Sequence, residues 1–287
     1  MSKIVVIGSL HYDIMLQAHH RPEKGETVMG SACSYKFGGK GGNQAVSAAR
    51  AGAQVSFVGA VGEDEQGKFL LSVLKDNGVD IRHVAVKDCI PSGMSVAIMD
   101  AENDYGAVVV SNANNHIDPQ QFSEDGVWQQ AGMLLLQNEV PEAINMLAAR
   151  EAQKRGITVC LNAAPARELC ASMRSSIDLL VVNAVEARDL TGIEVNDLSG
   201  ASAAAAALSE DFPSVVVTAG EHGVAFCETK GQCHALPAQK VVLVSTHGAG
   251  DCFMGALCAA MMQGQRLAEA VVKANRAAAE HVSRKAP

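Results

Sequence analysis

Short apolar runs alternate with longer stretches of helical periodicity along most of the chain. The runs are rich in β-branched residues and end in a polar residue or glycine, whereas the stretches between them repeat apolar positions at helical spacing. This alternation predicts parallel strands joined by helices that cover both faces of one sheet, an α/β fold. The predicted strands are 3–8, 54–59, 133–136, 157–161, 179–182, 215–218 and 241–244, and the predicted helices include 43–51, 185–191, 200–210 and 252–262.

Two stretches, residues 12–37 and 93–110, interrupt this alternation. Both resemble hairpin-forming strands, and the second contains two apolar runs around a turn at Glu102, Asn103 and Asp104. Because they break the pattern of a helix-covered sheet, we expect them to form a small β-sheet that projects from one edge as a lid. The sequence has no linker and no internal repeat, so residues 1–287 are predicted to form one domain.

Composition narrows the class of protein. With 48% hydrophobic and 19% charged residues, the chain is an ordinary globular protein with a sizeable core. A net charge of −8 provides no basic surface for nucleic acid. No apolar run approaches the ~18 residues that span a bilayer. The eight scattered cysteines lack the C-x-x-C spacing, which indicates a reduced, cytoplasmic environment. We therefore expect neither nucleic acid nor a membrane as a partner.

Segment 245–251 (STHGAGD) carries the strongest chemical signal. It follows a predicted strand and opens a helix, and ligands of α/β sheets bind at the carboxyl ends of the strands. The N–H groups of Gly248, Ala249 and Gly250 would then stabilise a phosphoryl group in transfer, while Asp251 accepts the proton of the attacking hydroxyl. The alternative is that Asp251 only caps the helix.

Segment 37–45 (FGGKGGNQA) is the second candidate. Its glycines allow the backbone to approach a polyhydroxylated ligand, and Lys40 and Asn43 supply donors. The spacing fits neither the Walker A motif nor the dinucleotide fingerprint. A flexible surface loop is the alternative interpretation.

Three other features each allow two interpretations. Asn183 and Glu186 would contact a phosphate and a water-bound Mg²⁺, or would simply form a helix N-cap with an acid in the first turn. Segment 218–223 (TAGEHG) is a phosphate-binding loop or an ordinary hairpin turn. Asp13 and Glu139 each follow a predicted strand, where a carboxylate either accepts hydrogen bonds from sugar hydroxyls or is solvated.

Taken together and in this order, these motifs resemble the ribokinase (PfkB) family of carbohydrate kinases over nearly the whole chain. The opening signature of the family is here GGKGGNQA, and its closing signature is GAGD. The segments PEKGET, NAAPAREL and LTGI also read like the ribokinase members of that family. The resemblance implies a three-layer α/β/α sandwich with a mostly parallel central sheet, a small β-sheet lid and a homodimer formed through that lid.

The resemblance also implies an activity and a site. It implies an ATP-dependent sugar kinase that transfers the γ-phosphate to the primary hydroxyl of a pentose, D-ribose to D-ribose 5-phosphate, with Mg²⁺. Asp251 would be the base, and Gly248, Ala249 and Gly250 the anion hole. Sugar contacts would be His11, Asp13, Gly39, Lys40, Gly41, Asn43, Glu139 and Asp251. Nucleotide contacts would be Asn183, Thr218, Ala219, Gly220, Glu221, Gly223, Gly250 and Asn275, with Glu186 organising magnesium through water.

Departures from the family pattern keep alternatives open. His11 stands where family members usually have asparagine, so another sugar or a nucleoside is an alternative substrate. Ser245 and His247 would line a monovalent-cation site, but Ser245 stands where the family usually has aspartate, which argues against K⁺ activation. Family members also continue beyond the position of Pro287. These last two departures keep open a sugar-binding protein with little kinase activity.

Overall fold

The computed structural model describes residues 2–102 and 104–283. Asn103, at the predicted turn, and residues 284–287, at the end of the chain, lie outside the described residues. The strands in chain order are β1 (Lys3–Ile7), β2 (His11–Ala18), β3 (Gly30–Gly38), β4 (Gln54–Gly62), β5 (Asp80–Lys87), β6 (Met94–Met99), β7 (Tyr105–Val110), β8 (Ala131–Gln137), β9 (Thr158–Asn162), β10 (Leu179–Asn183), β11 (Ser214–Thr218), β12 (Val224–Thr229) and β13 (Gln232–Leu236).

Along the chain, most of the α-helices connect strands of the main sheet. Several begin at a side chain that caps the first turn, such as Asp64, Asn183 and Asp197, each of which accepts a backbone N–H of the helix that follows. The helices are α1 (Lys40–Arg50), α2 (Glu65–Asp76), α3 (Asp125–Trp128), α4 (Glu142–Lys154), α5 (Ala171–Arg174), α6 (Ala184–Thr191), α7 (Leu198–Leu208), α8 (Ala249–Met262) and α9 (Leu267–Ser283).

The main sheet orders its strands β13-β12-β11-β10-β9-β8-β1-β4-β5 within the described residues. The strands from β11 to β5 in this order pair in parallel, and β12 is antiparallel to its neighbours. Successive side chains of β1 enter opposite faces: Val5 packs in one core cluster with α4 and α7, and Val6 in the other with α1 and α8. The expected three-layer α/β/α sandwich with a mostly parallel sheet is confirmed.

A second sheet, here called the lid sheet, has the order β3-β2-β6-β7. Its four strands come from the two stretches that interrupt the sheet pattern. The strands β2 and β3 pair antiparallel, as do β6 and β7, while β2 and β6 pair in parallel and so join the two hairpins. The lid sheet ends beside the carboxyl edge of the main sheet, because β3 leads directly into α1.

Two sequence predictions of local structure are wrong. Residues 241–244 form a loop and not a strand, and Val242 in this loop is 83% exposed. The edge position of the sheet is already taken by β13, and the loop instead donates its Val244 and Ser245 N–H groups to the Val282 carbonyl in α9. The helix predicted from residue 43 begins at Lys40, because the glycines Gly41 and Gly42 are helical.

The expectation of reduced cysteines is also wrong for one pair. Cys227 and Cys233 face each other across the β12–β13 hairpin and form a disulfide. Their six-residue separation hides the pairing in the sequence, since only the hairpin register makes them opposite neighbours. As for membranes, none of the helices within residues 2–102 and 104–283 combines the length and the hydrophobicity needed to span a bilayer.

Candidate active site

Asp251 lies in the first turn of α8, at the carboxyl edge of the main sheet. Gly248 is the N-cap residue, with a left-handed φ of 74°, so the interpretation of Asp251 as a cap is wrong. The carboxylate is 9% exposed and accepts hydrogen bonds at both oxygens. Gln44 Nε2 donates to Oδ1 at 2.9 Å, and Asn43 Nδ2 donates to Oδ2 at 3.3 Å. The closing and opening signatures therefore meet at this side chain.

The electrostatic surroundings of Asp251 favour proton uptake. Burial raises the pKa of Asp251 above its usual value, and Glu139 adds to this. The charge of Lys40 and the hydrogen bonds from Gln44 and Asn43 oppose the rise. A buried carboxylate with a raised pKa, facing the sheet edge, is suited to accept a proton from a bound hydroxyl.

The glycine-rich segment is the start of α1 and is packed against β1, so the interpretation as a flexible loop is wrong. Gly39 has φ 88°, and a Cβ there would lie 2.8 Å from Leu10 Cα. A Cβ on Gly41 would lie 2.7 Å from Ser9 N. These glycines therefore bring the first turn of α1 and the side chains of Lys40 and Asn43 close to the loop that follows β1.

Glu139 is fixed in this crowded region. Its Oε2 accepts a 2.5 Å hydrogen bond from Ser9 Oγ and a 2.8 Å bond from Lys40 N. His11 Nδ1 lies 3.9 Å from the same oxygen. The imidazole of His11 is buried, and its Nε2 has no hydrogen-bond partner among the described residues. The unpaired Nε2 is the ring nitrogen on the side away from Glu139, so that side of His11 has an unused hydrogen-bonding group.

Asp13 is held by the lid sheet. Ser95 on β6 donates to Asp13 Oδ1 at 2.5 Å, and the carboxylate is buried. Gly38 makes room for it, because a Cβ at this position would lie 1.9 Å from Asp13 Oδ2. Burial raises the pKa of Asp13, while the Ser95 hydrogen bond and the nearby His11 and His247 lower it. The interpretation of Asp13 and Glu139 as solvated acids is wrong for both.

Asn183 and Glu186 form a capping box at the start of α6. The Glu186 oxygens accept from Asn183 N at 2.8 Å and Asn183 Nδ2 at 2.9 Å, and Asn183 Oδ1 accepts from Glu186 N at 3.0 Å. Burial raises the pKa of Glu186, and the charge of Lys40 opposes this. Each Glu186 oxygen retains a lone pair for a water, so the residue fits a magnesium ion bound through water.

Thr218 ends β11 beside Asn183 in the sheet register, and Ala219 leads into the turn that joins β11 to β12. Gly220 and Glu221 are exposed in a 3₁₀ turn (Gly220–His222). Gly223 has φ 121°, and a Cβ there would lie 2.1 Å from the Leu236 carbonyl, so this glycine also serves packing. Asn275 Nδ2 donates to the Pro237 carbonyl at 3.1 Å, which ties α9 to the chain that follows β13.

Ser245 and His247 lie in the loop before α8. His247 N donates to Ser245 Oγ at 3.3 Å, and the His247 carbonyl lies 2.9 Å from His281 Nε2. Over residues 2–102 and 104–283 there is no group of three or more histidine, cysteine or acidic side chains arranged to hold a metal ion.

Several residues of the site were not singled out for it by sequence. Ser9 and Ser95 orient the two carboxylates, and Asn114 fixes the backbone before His11 through hydrogen bonds to Leu10 N and Leu10 O, each of 2.9 Å. Gln44 belongs to the opening signature, but only the fold brings it to Asp251. No local pattern distinguishes these side chains, since their partners are distant in sequence.

Comparison with known proteins decides the family. Residues 1–287 match the pfkB family of carbohydrate kinases. The chain belongs to that family. This pfkB kinase is 33% identical over 284 residues to a ribokinase of Haemophilus influenzae, covering 98% of this chain and 92% of the relative. It is 32% identical over 276 residues to a deoxyribokinase of Salmonella typhimurium, covering 94% and 89%.

A solved structure supports the fold of the pfkB kinase. The structure of Arabidopsis thaliana ribokinase complexed with ribose and ATP superimposes with a TM-score of 0.91 at 29% identity, covering 99% of this chain and 94% of that one. The ribokinase-like fold expected from the motifs is thereby confirmed, and so is the expectation of a carbohydrate kinase.

Proposed function

We propose that this pfkB kinase transfers the γ-phosphate of ATP to the primary hydroxyl of D-ribose and forms D-ribose 5-phosphate. The observation that carries the proposal is the buried Asp251 carboxylate at the start of α8, held by Asn43 and Gln44 from the opening signature. The relatives named as ribokinases, and the Arabidopsis ribokinase that binds ribose and ATP, support this choice of substrates.

Asp251 acts as the general base. It takes the proton of the primary hydroxyl as the sugar oxygen forms a bond to the γ-phosphorus, and the bond from that phosphorus to the leaving oxygen breaks with its electron pair going to ADP. The N–H groups of Gly248 and Gly250 face the charge that develops on the transferred group. The Ala249 N–H donates to the Thr246 carbonyl at 3.2 Å in this conformation and joins the anion hole when the loop adjusts.

The sugar is oriented from both sides of the site. Asp13 and Glu139 accept hydrogen bonds from its hydroxyls, because Ser95 and Ser9 hold the two carboxyl groups in place. Asn43 and Lys40 donate from the first turn of α1, where Gly39 and Gly41 allow close approach. His11 Nε2 supplies one more contact.

The nucleotide lies over the other half of the sheet edge. Asn183, Asn275 and the segment 218–223 contact it, with the exposed Gly220 and Glu221 nearest to solvent. Glu186 would hold magnesium through water. When bound, Mg²⁺ neutralises phosphate charge, which favours attack at the γ-phosphorus. Because Ser245 offers only a hydroxyl to a monovalent cation, we expect no requirement for K⁺.

The assembly is a homodimer of single-domain chains that pair through their lid sheets. The exposed side chains of Tyr35, Val108, Val109 and Val110 lie on this sheet, and a second copy would remove them from water. Sedimentation analysis tests this, and a monomer at micromolar concentration contradicts it. A cytoplasmic location is part of the proposal, and cell fractionation is its direct test in view of the Cys227–Cys233 disulfide.

The test of the activity is an ADP-release assay with ATP, Mg²⁺ and a panel of ribose, 2-deoxyribose, other sugars and nucleosides, run with K⁺, with Na⁺ and with neither. Ribose is expected to give the highest kcat/KM. The deoxyribokinase relative favours 2-deoxyribose as the second candidate. A site built to bond a hydroxyl rejects analogues that lack it, so the ratio of the two kcat/KM values distinguishes them. Ribose binding without turnover of any substrate would favour a sugar-binding protein.

A further inference from the structure

A chain of buried side-chain amides leads from the main sheet to Asp251. Asn162, the last residue of β9, donates from Nδ2 to the Val181 carbonyl of β10 at 3.2 Å. Gln44 in α1 donates from Nε2 to Asn162 Oδ1 at 3.0 Å and to Asp251 Oδ1 at 2.9 Å. The Gln44 side chain is fully buried, with 0% exposure. These buried side chains therefore join a backbone group of the sheet to the carboxylate.

The hydrogen bond from Asn162 to Val181 fixes the orientation of both side-chain amides. A backbone carbonyl only accepts hydrogen bonds, so Asn162 must turn its NH₂ group to Val181 and its oxygen to Gln44. Gln44 must then turn its own NH₂ group to Asn162, and the second hydrogen of that group reaches Asp251 Oδ1. The opposite orientation would set the Gln44 oxygen against two acceptors.

In this orientation the side-chain oxygen of Gln44 lacks a hydrogen-bond donor among the described residues. This atom, Oε1, is buried. A buried unpaired oxygen is unfavourable, so the two donated hydrogen bonds, one of them to an ionised group, must outweigh it.

We propose that Gln44 is a positioning residue that keeps Asp251 Oδ1 as a permanent acceptor, so that the proton of the sugar hydroxyl is taken up by Oδ2. The inference rests on the proposed role of Asp251 as the base. Oδ2 has only the longer 3.3 Å contact with Asn43 Nδ2, and this leaves it available to the substrate. The amide chain thus selects which oxygen of the carboxylate reacts.

The charged groups around Asp251 affect its pKa, and a change at Gln44 is measured against their effect. Lys40 lowers the pKa of Asp251 and Glu139 raises it, and both stay in place when Gln44 is replaced. The Gln44 hydrogen bond lowers the pKa of Asp251, against the larger effect of burial. Loss of the donor therefore makes Asp251 harder to ionise, and the acidic limb of the rate profile moves to higher pH.

The test compares Gln44→Met with Gln137→Met. Gln137 is a matched control, since it is a buried glutamine at the end of β8 and its side-chain nitrogen and oxygen have no hydrogen-bond partner among the described residues. Methionine keeps the volume of glutamine and removes its donors. For Gln44→Met we expect kcat at pH 7 about tenfold lower and the acidic limb shifted upward by about one pH unit, with ATP and ribose as substrates. For Gln137→Met the limb keeps its midpoint.

Circular dichroism and calorimetric titration with ADP determine whether each variant is folded. If Gln44→Met fails to fold, Gln44→Glu preserves the shape and adds a negative charge beside Asp251, which moves the limb upward by more than the methionine variant would. A folded Gln44 variant whose acidic limb coincides with that of the unmodified protein overturns the inference. Asp251→Asn keeps the two proposals apart: if this variant turns over normally, the base itself is wrongly assigned, whereas an inactive Asp251→Asn with an unmoved Gln44 limb overturns only the role of Gln44.

Discussion

Ser95 Oγ donates a 2.5 Å hydrogen bond to Asp13 Oδ1, and the two residues are register neighbours in the parallel pair β2–β6. The carboxylate comes from one hairpin of the lid sheet and the hydroxyl from the other. The carboxylate that we propose as a sugar contact is thus oriented by the lid sheet, whereas Asp251 lies in α8, which packs on the main sheet. The position of Asp13 is therefore fixed by the pairing of the two hairpins.

Ser95→Ala is expected to raise the KM for ribose about tenfold with a smaller effect on kcat. The lost hydrogen bond is to a charged group and is worth about 1.5–3 kcal/mol, and its loss also raises the pKa of Asp13 further. Steady-state kinetics with saturating ATP measures both parameters. Ser31→Ala is the matched control, because Ser31 is also on the lid sheet but its hydroxyl donates to the backbone carbonyl of Gln17 at an exposed position. Equal KM values for the two variants would show that the Ser95 hydroxyl does not prepare the sugar site.

Asp251→Asn is expected to lower kcat by about 10²- to 10⁴-fold, the usual contribution of a general base. The amide keeps the shape of the carboxylate and its acceptor oxygen for Gln44, but it cannot take up the proton. Ribose affinity, measured by calorimetry, should change far less than kcat. An ADP-release assay with near-normal turnover would contradict the assignment of Asp251 as the base.

The same variant should be more stable than the unmodified protein at pH 7. Burial raises the pKa of Asp251 in the folded state, so its ionised form destabilises the fold above that pKa. The effect vanishes below the pKa of the unfolded chain, where the carboxyl is protonated in both states. Thermal unfolding at a series of pH values should therefore show the largest advantage of Asp251→Asn at neutral pH and a shrinking one as the pH falls. A lower melting temperature at pH 7 would contradict this.

The sequence predicts the parts of the fold that depend on local pattern. The predicted strands 157–161 and 179–182 agree to within one residue at each end with Thr158–Asn162 and Leu179–Asn183. They could be predicted because buried parallel strands are short continuous apolar runs. Asp251 and Lys40 could be predicted as site residues because the two glycine-rich segments that contain them resemble, in this order, the two signatures of the family.

Features that depend on pairing between distant segments could not be predicted. The run 241–244 is as apolar as a real strand, and only the position of β13 at the sheet edge shows that no place remains for it. Gln44 reaches Asp251 across a separation of 207 residues. Ser95 and the Cys227–Cys233 disulfide likewise depend on strand register, which single residues do not encode.

Reduction of the Cys227–Cys233 disulfide should lower the free energy of unfolding by about 2 kcal/mol, the loop-closure contribution of a short loop. The bond closes the β12–β13 hairpin at the edge of the sheet. One edge of β13 has no neighbouring strand among the described residues. Chemical denaturation with and without a reductant measures the difference. The double variant Cys227→Ala, Cys233→Ala should be insensitive to the reductant, and an unmodified protein that is equally insensitive would contradict the prediction.

Gly250→Ala separates stability from catalysis at the anion hole. No heavy atom lies within 4 Å of the position that a Cβ would take, and the residue is in the first turn of α8, so the protein itself accommodates a methyl group. Alanine is preferred over glycine in helices by up to about 1 kcal/mol, so the melting temperature should rise. The methyl group would nevertheless occupy the space that the γ-phosphoryl group approaches, and kcat/KM for ATP should fall about tenfold or more. Gly126→Ala is the matched control: it is helical in α3, its Cβ would meet His83 Cε1 at 3.7 Å, and it should keep its kcat/KM. If Gly250→Ala also kept its kcat/KM for ATP, the phosphoryl group would have to be bound elsewhere than at the start of α8.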